Sequence, residues 1–262
     1  MKTAPLPLFG AIASAALLLA SPTFATEALK EPGVLLREGN WDGDVGTYNI
    51  PNALVDVKPK AWPLAGWVRL RLRATEIEIV PVVTPPKGKP SFLESIVSQV
   101  ERAHDGTKPV EAAPDALTRT HQDEMFLRVP GTSIKAANAP SYRFKNGTSH
   151  LLPKLDYRYE LMLGTQAFAF TVQNDARGKN GAPYGEGANY TIEYDGQTYS
   201  YALGGYGWNS SIRAIADIDG DGKPDFIIAV GGSNQGYEAV LLPSVARPGK
   251  NPATASLGST GC

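Results

Sequence analysis

Apolar and polar residues alternate along several short segments of the chain. Val68, Leu70 and Leu72 alternate with arginines, and Ile77 and Ile79 then alternate with glutamates. This period of two is typical of strands that bury one face, so it predicts two β-strands with Arg and Glu rows on their outer face. Opposite charges on neighbouring strands would pair there. The alternative use of the arginine row is to bind an anionic ligand.

The segment from Ser91 to His104 has helical spacing instead. Ser91 and Glu94 are placed as in a capping box. The apolar residues fall three or four positions apart and form one stripe: Leu93, Ile96, Val97 and Val100. The segment therefore predicts one amphipathic helix, followed by a long loop that ends near Glu124.

From Met125 onward the β pattern returns. Gly164-Thr165-Gln166 is predicted to be a three-residue hairpin loop. Asp195-Gly196 stands between two alternating runs and predicts a two-residue turn that pairs Tyr194 with Gln197. In this register the large residues share one face of the hairpin: Tyr190, Ile192, Tyr199 and Tyr201.

These patterns predict a mainly β protein made of antiparallel sheets, as a sandwich or a small β domain, with the one helix. We divide the chain into a signal peptide at 1–25, a β-rich region with the helix and the long loop at 26–124, a C-terminal β domain at 125–245, and a flexible tail rich in Gly, Pro and Ser at 246–262. The pattern leaves open whether the two β regions form one unit or two.

The N-terminus has the order of a secretory signal peptide. Lys2 is followed by an uncharged, mostly apolar stretch from Leu8 to Ala20, and small residues precede the predicted cleavage site before Thr26. This stretch is shorter than the roughly 20 residues that a membrane span needs, and no later segment is long and apolar enough. The sequence therefore predicts an exported protein of the periplasm or the medium, with no membrane span in its mature chain.

Charge and cysteine content narrow the function further. The chain has 25 basic and 26 acidic side chains and a net charge of −1, which argues against a general nucleic-acid or membrane-surface binder. The single cysteine, Cys262, is the last residue, so no intramolecular disulfide can form. Stability must come from a core, an ion or a partner.

The clearest chemical signal is the segment from Asp217 to Asp225. With Asp217 as position 1, carboxylates fall at positions 1, 3, 5 and 9, and glycine falls at position 6. The predicted ligands are Asp217, Asp219, Asp221, the backbone carbonyl of Lys223, and Asp225. Oxygen ligands suit Ca²⁺, and a divalent ion removes the repulsion among four aspartates. The alternative is an Asp/Gly turn that binds no specific ion.

The loop differs from an EF-hand, because position 12 is Ile228 rather than a bidentate Glu and the flanking runs are β-like. At these residues the sequence resembles the calcium loop of FG-GAP repeats, as in integrin α-subunit propellers. The resemblance implies that the loop joins two strands and that Asp225 completes the site. A propeller needs several blades, and the sequence has one such loop, so a full propeller is not predicted.

No nucleophile elbow, His-Glu-x-x-His helix or phosphate loop occurs in the sequence. We therefore favour a non-enzymatic, calcium-stabilised binding module whose partner is a protein or a glycan. Two alternatives stay open. One is a hydrolase or lyase that acts on a polysaccharide or another envelope polymer through acidic residues scattered in sequence. The other is a carbohydrate-binding or adhesion protein that stacks sugars on Tyr206 and Trp208.

Overall fold

The computed structural model describes residues 33–36, 38–41, 44–48, 65–82, 124–174, 188–203, 209–231 and 235–260. These residues form β-strands and one short 3₁₀ helix, which confirms the prediction of a mainly β protein. The predicted helix from Ser91 to His104, the signal peptide and Cys262 lie outside them. No α-helix occurs in the described part of the chain, so the helix prediction is not confirmed.

The strands are short and follow one another through turns. In chain order they are β1 Gly33–Leu36, β2 Glu38–Trp41, β3 Asp44–Tyr48, β4 Trp67–Leu72, β5 Glu76–Pro81, β6 Glu124–Arg128, β7 Ala137–Pro140, β8 Arg158–Leu163, β9 Gln166–Asn174, β10 Ala188–Tyr194, β11 Gln197–Leu203, β12 Asn209–Ala216, β13 Asp225–Gly231, β14 Gln235–Leu241, β15 Gly249–Asn251 and β16 Ala255–Thr260. The 3₁₀ helix spans Pro243–Val245.

Two large sheets and one small one contain these strands. The larger sheet has nine strands in the order β12-β13-β14-β16-β1-β6-β4-β5-β7, the second has five in the order β15-β11-β10-β9-β8, and β2 pairs with β3. The nine-stranded sheet therefore combines strands from both predicted β regions, 26–124 and 125–245.

The two large sheets, predicted to be antiparallel, are mixed, because each contains one parallel pair of strands. β1 runs parallel to β16, and β11 runs parallel to β15. The close pairing of β1 and β16 depends on Gly33, whose N–H donates to the Thr254 carbonyl at 2.9 Å. A Cβ at Gly33 would lie 2.5 Å from that carbonyl oxygen, so a larger residue would push the strands apart.

The segment predicted to be a flexible tail includes two strands. It contributes β15 and β16, and β16 lies between β14 and β1 inside the nine-stranded sheet. The physical reason is burial: Ala255 and Leu257 are 2% and 3% exposed and pack among other apolar side chains. Two well-placed apolar residues outweigh the Gly, Pro and Ser content that suggested fraying.

The nine-stranded sheet nearly closes on itself. Its edge strands are β7 and β12, and the chain that follows β7 hydrogen-bonds to β12. The Tyr142 N–H donates to the Ile215 carbonyl at 2.8 Å, and Leu151 and Ile212 exchange two backbone hydrogen bonds of 3.0 and 2.8 Å. All nine strands supply side chains to one buried set, which we call the inner cluster; it includes Leu35, Leu70, Ile77, Leu127, Ile227, Val240 and Leu257.

A second buried set, the intersheet cluster, joins the two large sheets. The five-stranded sheet packs its large side chains onto the opposite face of β12, β13 and β14. The contributors include Phe168, Phe170, Tyr190, Ile192 and Tyr201 on one side and Ile212, Ile215, Phe226 and Ile228 on the other. A β-bulge between Ile212 and Ala214 places both Ile212 and Ile215 on this face.

The local hairpin predictions have mixed outcomes. The Asp195-Gly196 turn pairs Tyr194 with Gln197 as predicted, and the register continues through Ile192 with Tyr199 and Tyr190 with Tyr201. Asp195 and Gly196 both have positive φ, at 48° and 71°, as this turn requires. The three-residue loop at 164–166 is wrong, because Gln166 already pairs with Leu163 and leaves a two-residue turn.

The predicted pairing of charges on the outer face of β4 and β5 is confirmed. Arg71 lies 3.2 Å from Glu78 and also bonds Glu124 on β6, and Arg73 lies 2.8 Å from Glu78. The guanidinium groups of Arg73 and Arg71 lower the pKa of Glu78. These ion pairs favour a solvated face over an anion-binding one.

Candidate metal centre

The acidic loop connects β12 to β13 in an antiparallel pair. Ala216, the last residue of β12, pairs with Asp225, the first residue of β13. Apolar, β-branched residues on both sides favour strands, and Pro224 ends the loop where no N–H is needed. Gly220 and Gly222 have φ of 79° and 84°, so both occupy the left-handed region that glycine favours. The acidic loop therefore joins two strands, β12 and β13, as the resemblance of its sequence implies.

The loop brings three of the predicted carboxylates together. One oxygen from each of Asp217, Asp219 and Asp225 lies within 4.8 Å of the others. Asp217 and Asp219 are half-buried, and Asp225 is fully buried. Three acidic groups this close repel one another unless a cation or protons offset their charge.

The backbone of the loop folds around these carboxylates. Six consecutive N–H groups, from residues 218 to 223, donate to aspartate side chains of the loop. Asp217 accepts from Gly220 at 2.8 Å and from Gly222 at 3.0 Å. These bonds fix the side chains in place before any ion binds, which lowers the entropy cost of binding.

Asp225 has an unusual environment for a carboxylate. Its Oδ2 accepts from the Ile218 N–H at 2.7 Å and from the Asp219 N–H at 3.4 Å. Its Oδ1 is buried and has no hydrogen-bond partner among the described residues. Burial, followed by the negative charge of Asp219, raises the pKa of Asp225 well above its usual range. A buried lone pair without a partner is costly, so this oxygen is suited to a cation.

Asp221 and Lys223 bond to each other. Asp221 is not among the three carboxylates that converge; its Oδ2 lies 2.6 Å from the Lys223 Nζ, and its Oδ1 accepts the Lys223 N–H at 2.8 Å. The backbone and the side chain of Lys223 therefore both bond to this carboxylate. The lysine therefore offsets one of the four negative charges of the loop.

Asp219 receives a contact that the sequence did not predict. The Ser244 hydroxyl donates to its Oδ2 from the 3₁₀ helix, 25 residues along the chain. Burial and the charge of Asp221 together raise the pKa of Asp219 to about 6, and the Ser244 hydrogen bond opposes this rise. No local pattern around Ser244 signals this contact.

The residues present fit a calcium ion. Oxygens bound to one Ca²⁺ at about 2.3 to 2.6 Å lie at most about 5 Å apart, which the spacing of the three carboxylates meets. The donor set contains only oxygen, and the unpartnered Oδ1 of Asp225 is available as a ligand. Asp217, Asp219 and Asp225 would hold the ion, and its charge would offset their mutual repulsion.

The loop lies close to the β10–β11 hairpin of the other sheet. Burial and the charges of Asp195 and Asp221 raise the pKa of Tyr194. Burial and the charge of Asp225 raise the pKa of Tyr201, whose hydroxyl is buried without a hydrogen-bond partner in the described residues. The centre therefore sits where the two large sheets meet.

The pKa values predict how the metal-free protein responds to pH. A folded-state pKa of about 6 for Asp219 exceeds the ordinary value near 4, so the folded state holds this proton more tightly than the unfolded state. The resulting stability is present below about pH 4 and is lost as the pH rises through about 6. In chelator, we expect the wild type to lose more unfolding free energy between pH 4.5 and 7.5 than Asp219→Asn loses.

Urea unfolding at several pH values measures this difference, and comparison with Asp219→Asn cancels the titration of the groups that the charge of Asp219 does not affect. Equal pH dependence in the two proteins would contradict the shift assigned to Asp219. In 10 mM Ca²⁺ the wild type should regain stability at pH 7.5 but much less at pH 4.5, because the ion competes with protons for the carboxylates.

An open depression of about 510 Å³ lies on the outer face of the five-stranded sheet. Acidic side chains of Glu160, Glu193 and Asp195 line it, but Arg158 bonds to both glutamates. This ion pairing gives no support to the hydrolase or lyase alternative. Tyr206 and Trp208, the predicted sugar-stacking residues, lie outside the described residues.

The fold and the loop together define a β-rich protein with an acidic, oxygen-donor loop on a strand hairpin. Residues 209–241 match the FG-GAP repeat family, in a single copy. The match begins with β12, includes the acidic loop and ends with β14, so it coincides with one three-stranded unit of the nine-stranded sheet. The resemblance inferred from the loop spacing is confirmed for this segment.

No curated protein and no solved structure matches the chain at a significant level. Within the described ranges, no helix has the length and apolar character to cross a membrane.

Proposed function

We propose that the chain is an exported, calcium-stabilised interaction module that acts by binding a partner rather than by catalysis. The observation that carries the calcium assignment is the buried, unpartnered Oδ1 of Asp225 beside the carboxylates of Asp217 and Asp219. The match to the FG-GAP repeat supports the interaction role.

The position of the loop indicates what the ion does. Ile218 packs in the inner cluster, and Phe226 packs in the intersheet cluster. Asp219 directly follows Ile218, and Asp225 directly precedes Phe226. An ion bound to both aspartates would therefore link the two backbone segments that enter these clusters. Calcium therefore stabilises the start of β13, which contributes to both buried clusters.

Thermal unfolding tests the calcium assignment. Extracellular modules bind Ca²⁺ with constants of about 0.1 to 1 mM, so 10 mM Ca²⁺ should add about 1.4 to 2.7 kcal/mol. In a chain of this length the melting temperature should rise by about 3 to 10 °C relative to chelator. Mg²⁺ should do less, because it keeps its water shell, and Asp219→Ala should lose most of the rise.

Calorimetric titration on the same samples separates binding from stabilisation. Identical melting temperatures in chelator and in 10 mM Ca²⁺, with no heat of binding, would show that the site does not bind calcium. An equal rise with Mg²⁺ would instead indicate a non-specific divalent effect.

Export is supported by the Lys2 charge, the apolar stretch and the small residues before Thr26. We expect the protein recovered from the periplasm or the medium of its host to begin at or near Thr26. N-terminal sequencing measures this directly, and an intact Met1 on most of the protein would contradict export by cleavage.

A further inference from the structure

Ser244 lies outside the matched FG-GAP segment but touches its acidic loop. The match ends at residue 241, and Ser244 follows in the 3₁₀ helix Pro243–Val245. Its hydroxyl donates a hydrogen bond to the Oδ2 of Asp219. A residue beyond the repeat therefore contacts one of the three converging carboxylates.

The residues on either side of Ser244 are held by the core. Leu242, just before the 3₁₀ helix, is fully buried in the inner cluster, and its N–H donates to the Thr254 hydroxyl at 2.9 Å. Pro243 is buried, and Val245 packs against the same cluster. The backbone at Ser244 is therefore positioned by its neighbours Leu242, Pro243 and Val245.

The hydrogen bond restricts the Asp219 side chain. With Oδ2 engaged by Ser244, the other oxygen, Oδ1, accepts a long hydrogen bond of 3.3 Å from the Asp221 N–H. A weakly engaged oxygen on a fixed carboxylate is suited to ligate an ion. Hydrogen bonds of this kind orient metal ligands and raise affinity.

We propose that Ser244 is a positioning residue of the calcium centre, which holds Asp219 so that one carboxylate oxygen faces the ion. This inference rests on the proposed calcium binding. It assigns part of the centre to the segment after the repeat, so the repeat alone lacks one of the contacts that prepare its site.

An isosteric pair of variants tests the proposal in the full mature chain. Ser244→Thr keeps the hydroxyl, and Ser244→Val has nearly the same shape without it. We expect Ser244→Val to weaken Ca²⁺ binding at least tenfold, the range known for residues that orient metal ligands. Ser244→Thr should stay within about threefold of the wild type, as should Ser133→Ala, which alters an exposed serine.

Calorimetric titration with Ca²⁺ gives the affinities, and urea unfolding in chelator gives the stability without ion. Affinity for Ca²⁺ that is equal in the Thr and Val variants overturns the proposal, whatever their stability. Should the Val variant not fold, Ser244→Ala, which removes a single oxygen, supplies the same comparison. If the wild type binds no Ca²⁺, the proposed function fails and this inference fails with it; if only the variants are indistinguishable, this inference alone fails.

Discussion

Replacing Phe226 with alanine is expected to lower the free energy of unfolding by about 3 to 5 kcal/mol. Phe226 is fully buried, and its ring meets Phe168 and Phe170 edge-to-face with centroid distances of 6.2 and 5.5 Å. These two rings belong to the five-stranded sheet, and Phe226 belongs to the nine-stranded one. The substitution therefore removes both buried area and the main aromatic contact between the sheets.

Urea unfolding followed by circular dichroism, in chelator, measures this loss without any contribution from calcium. The matched control is Tyr157→Ala, because Tyr157 is 52% exposed although its ring contacts Tyr159 at 4.7 Å. We expect the control to cost less than about 1.5 kcal/mol. A loss of similar size in both variants would show that the sheets do not pack through Phe226.

The local features of this fold follow from the sequence because their causes are local. The Asp195-Gly196 turn requires positive φ at two positions, and only a few residue types readily adopt positive φ. The turn and its register can therefore be predicted from the sequence. The rows of Arg71 and Glu78 pair for a similar reason, since neighbouring strands place them face to face.

The misjudged features depend on contacts between distant segments. β16 is a strand because Leu257 and Ala255 find an apolar space formed by strands from the other end of the chain. The parallel pairing with β1 rests on Gly33 lying against Thr254. Neither contact can be predicted from the residues near 255–260 alone, because their Gly, Ser and Pro content is typical of loops.

In the acidic loop, too, local contacts follow from the sequence and contacts with distant segments do not. Spacing alone brings Asp217, Asp219 and Asp225 together, because the bonds that shape the loop connect residues a few positions apart. Lys223 and Asp221 are also close in sequence. Whether the lysine side chain bonds to this carboxylate or to water, however, depends on how the loop is packed. The contact from Ser244 arises only when β14 has been placed beside β13.

Asp225→Asn is expected to abolish the stabilisation by calcium while preserving the fold. The amide is nearly the same size, and its oxygen can still accept the N–H of Ile218, which lies 2.7 Å from Oδ2 in the wild type. It replaces the unpartnered Oδ1 by an amide nitrogen, which is a donor and no ligand for Ca²⁺. The rise in melting temperature of about 3 to 10 °C in 10 mM Ca²⁺ should therefore vanish.

The same variant should be at least as stable as the wild type in chelator at neutral pH. Burial raises the pKa of Asp225, which means that the ionised form is disfavoured in the folded state. The neutral amide avoids this cost, and Asp225→Ala serves as the contrast because it also leaves the Ile218 N–H without its acceptor. In chelator we expect Asp225→Asn to be the most stable protein, followed by the wild type and then by Asp225→Ala.

Melting curves of the three proteins, in chelator and in 10 mM Ca²⁺, decide both points at once. An Asn variant that keeps the full calcium response would remove Asp225 from the ligand set. An Asn variant that melts well below the wild type in chelator would contradict the gain in stability expected from removing the buried charge. We expect the Asn variant to lose the calcium response and to keep or raise its stability in chelator. This combination follows if the buried carboxylate of Asp225 binds a cation and is costly to bury without one.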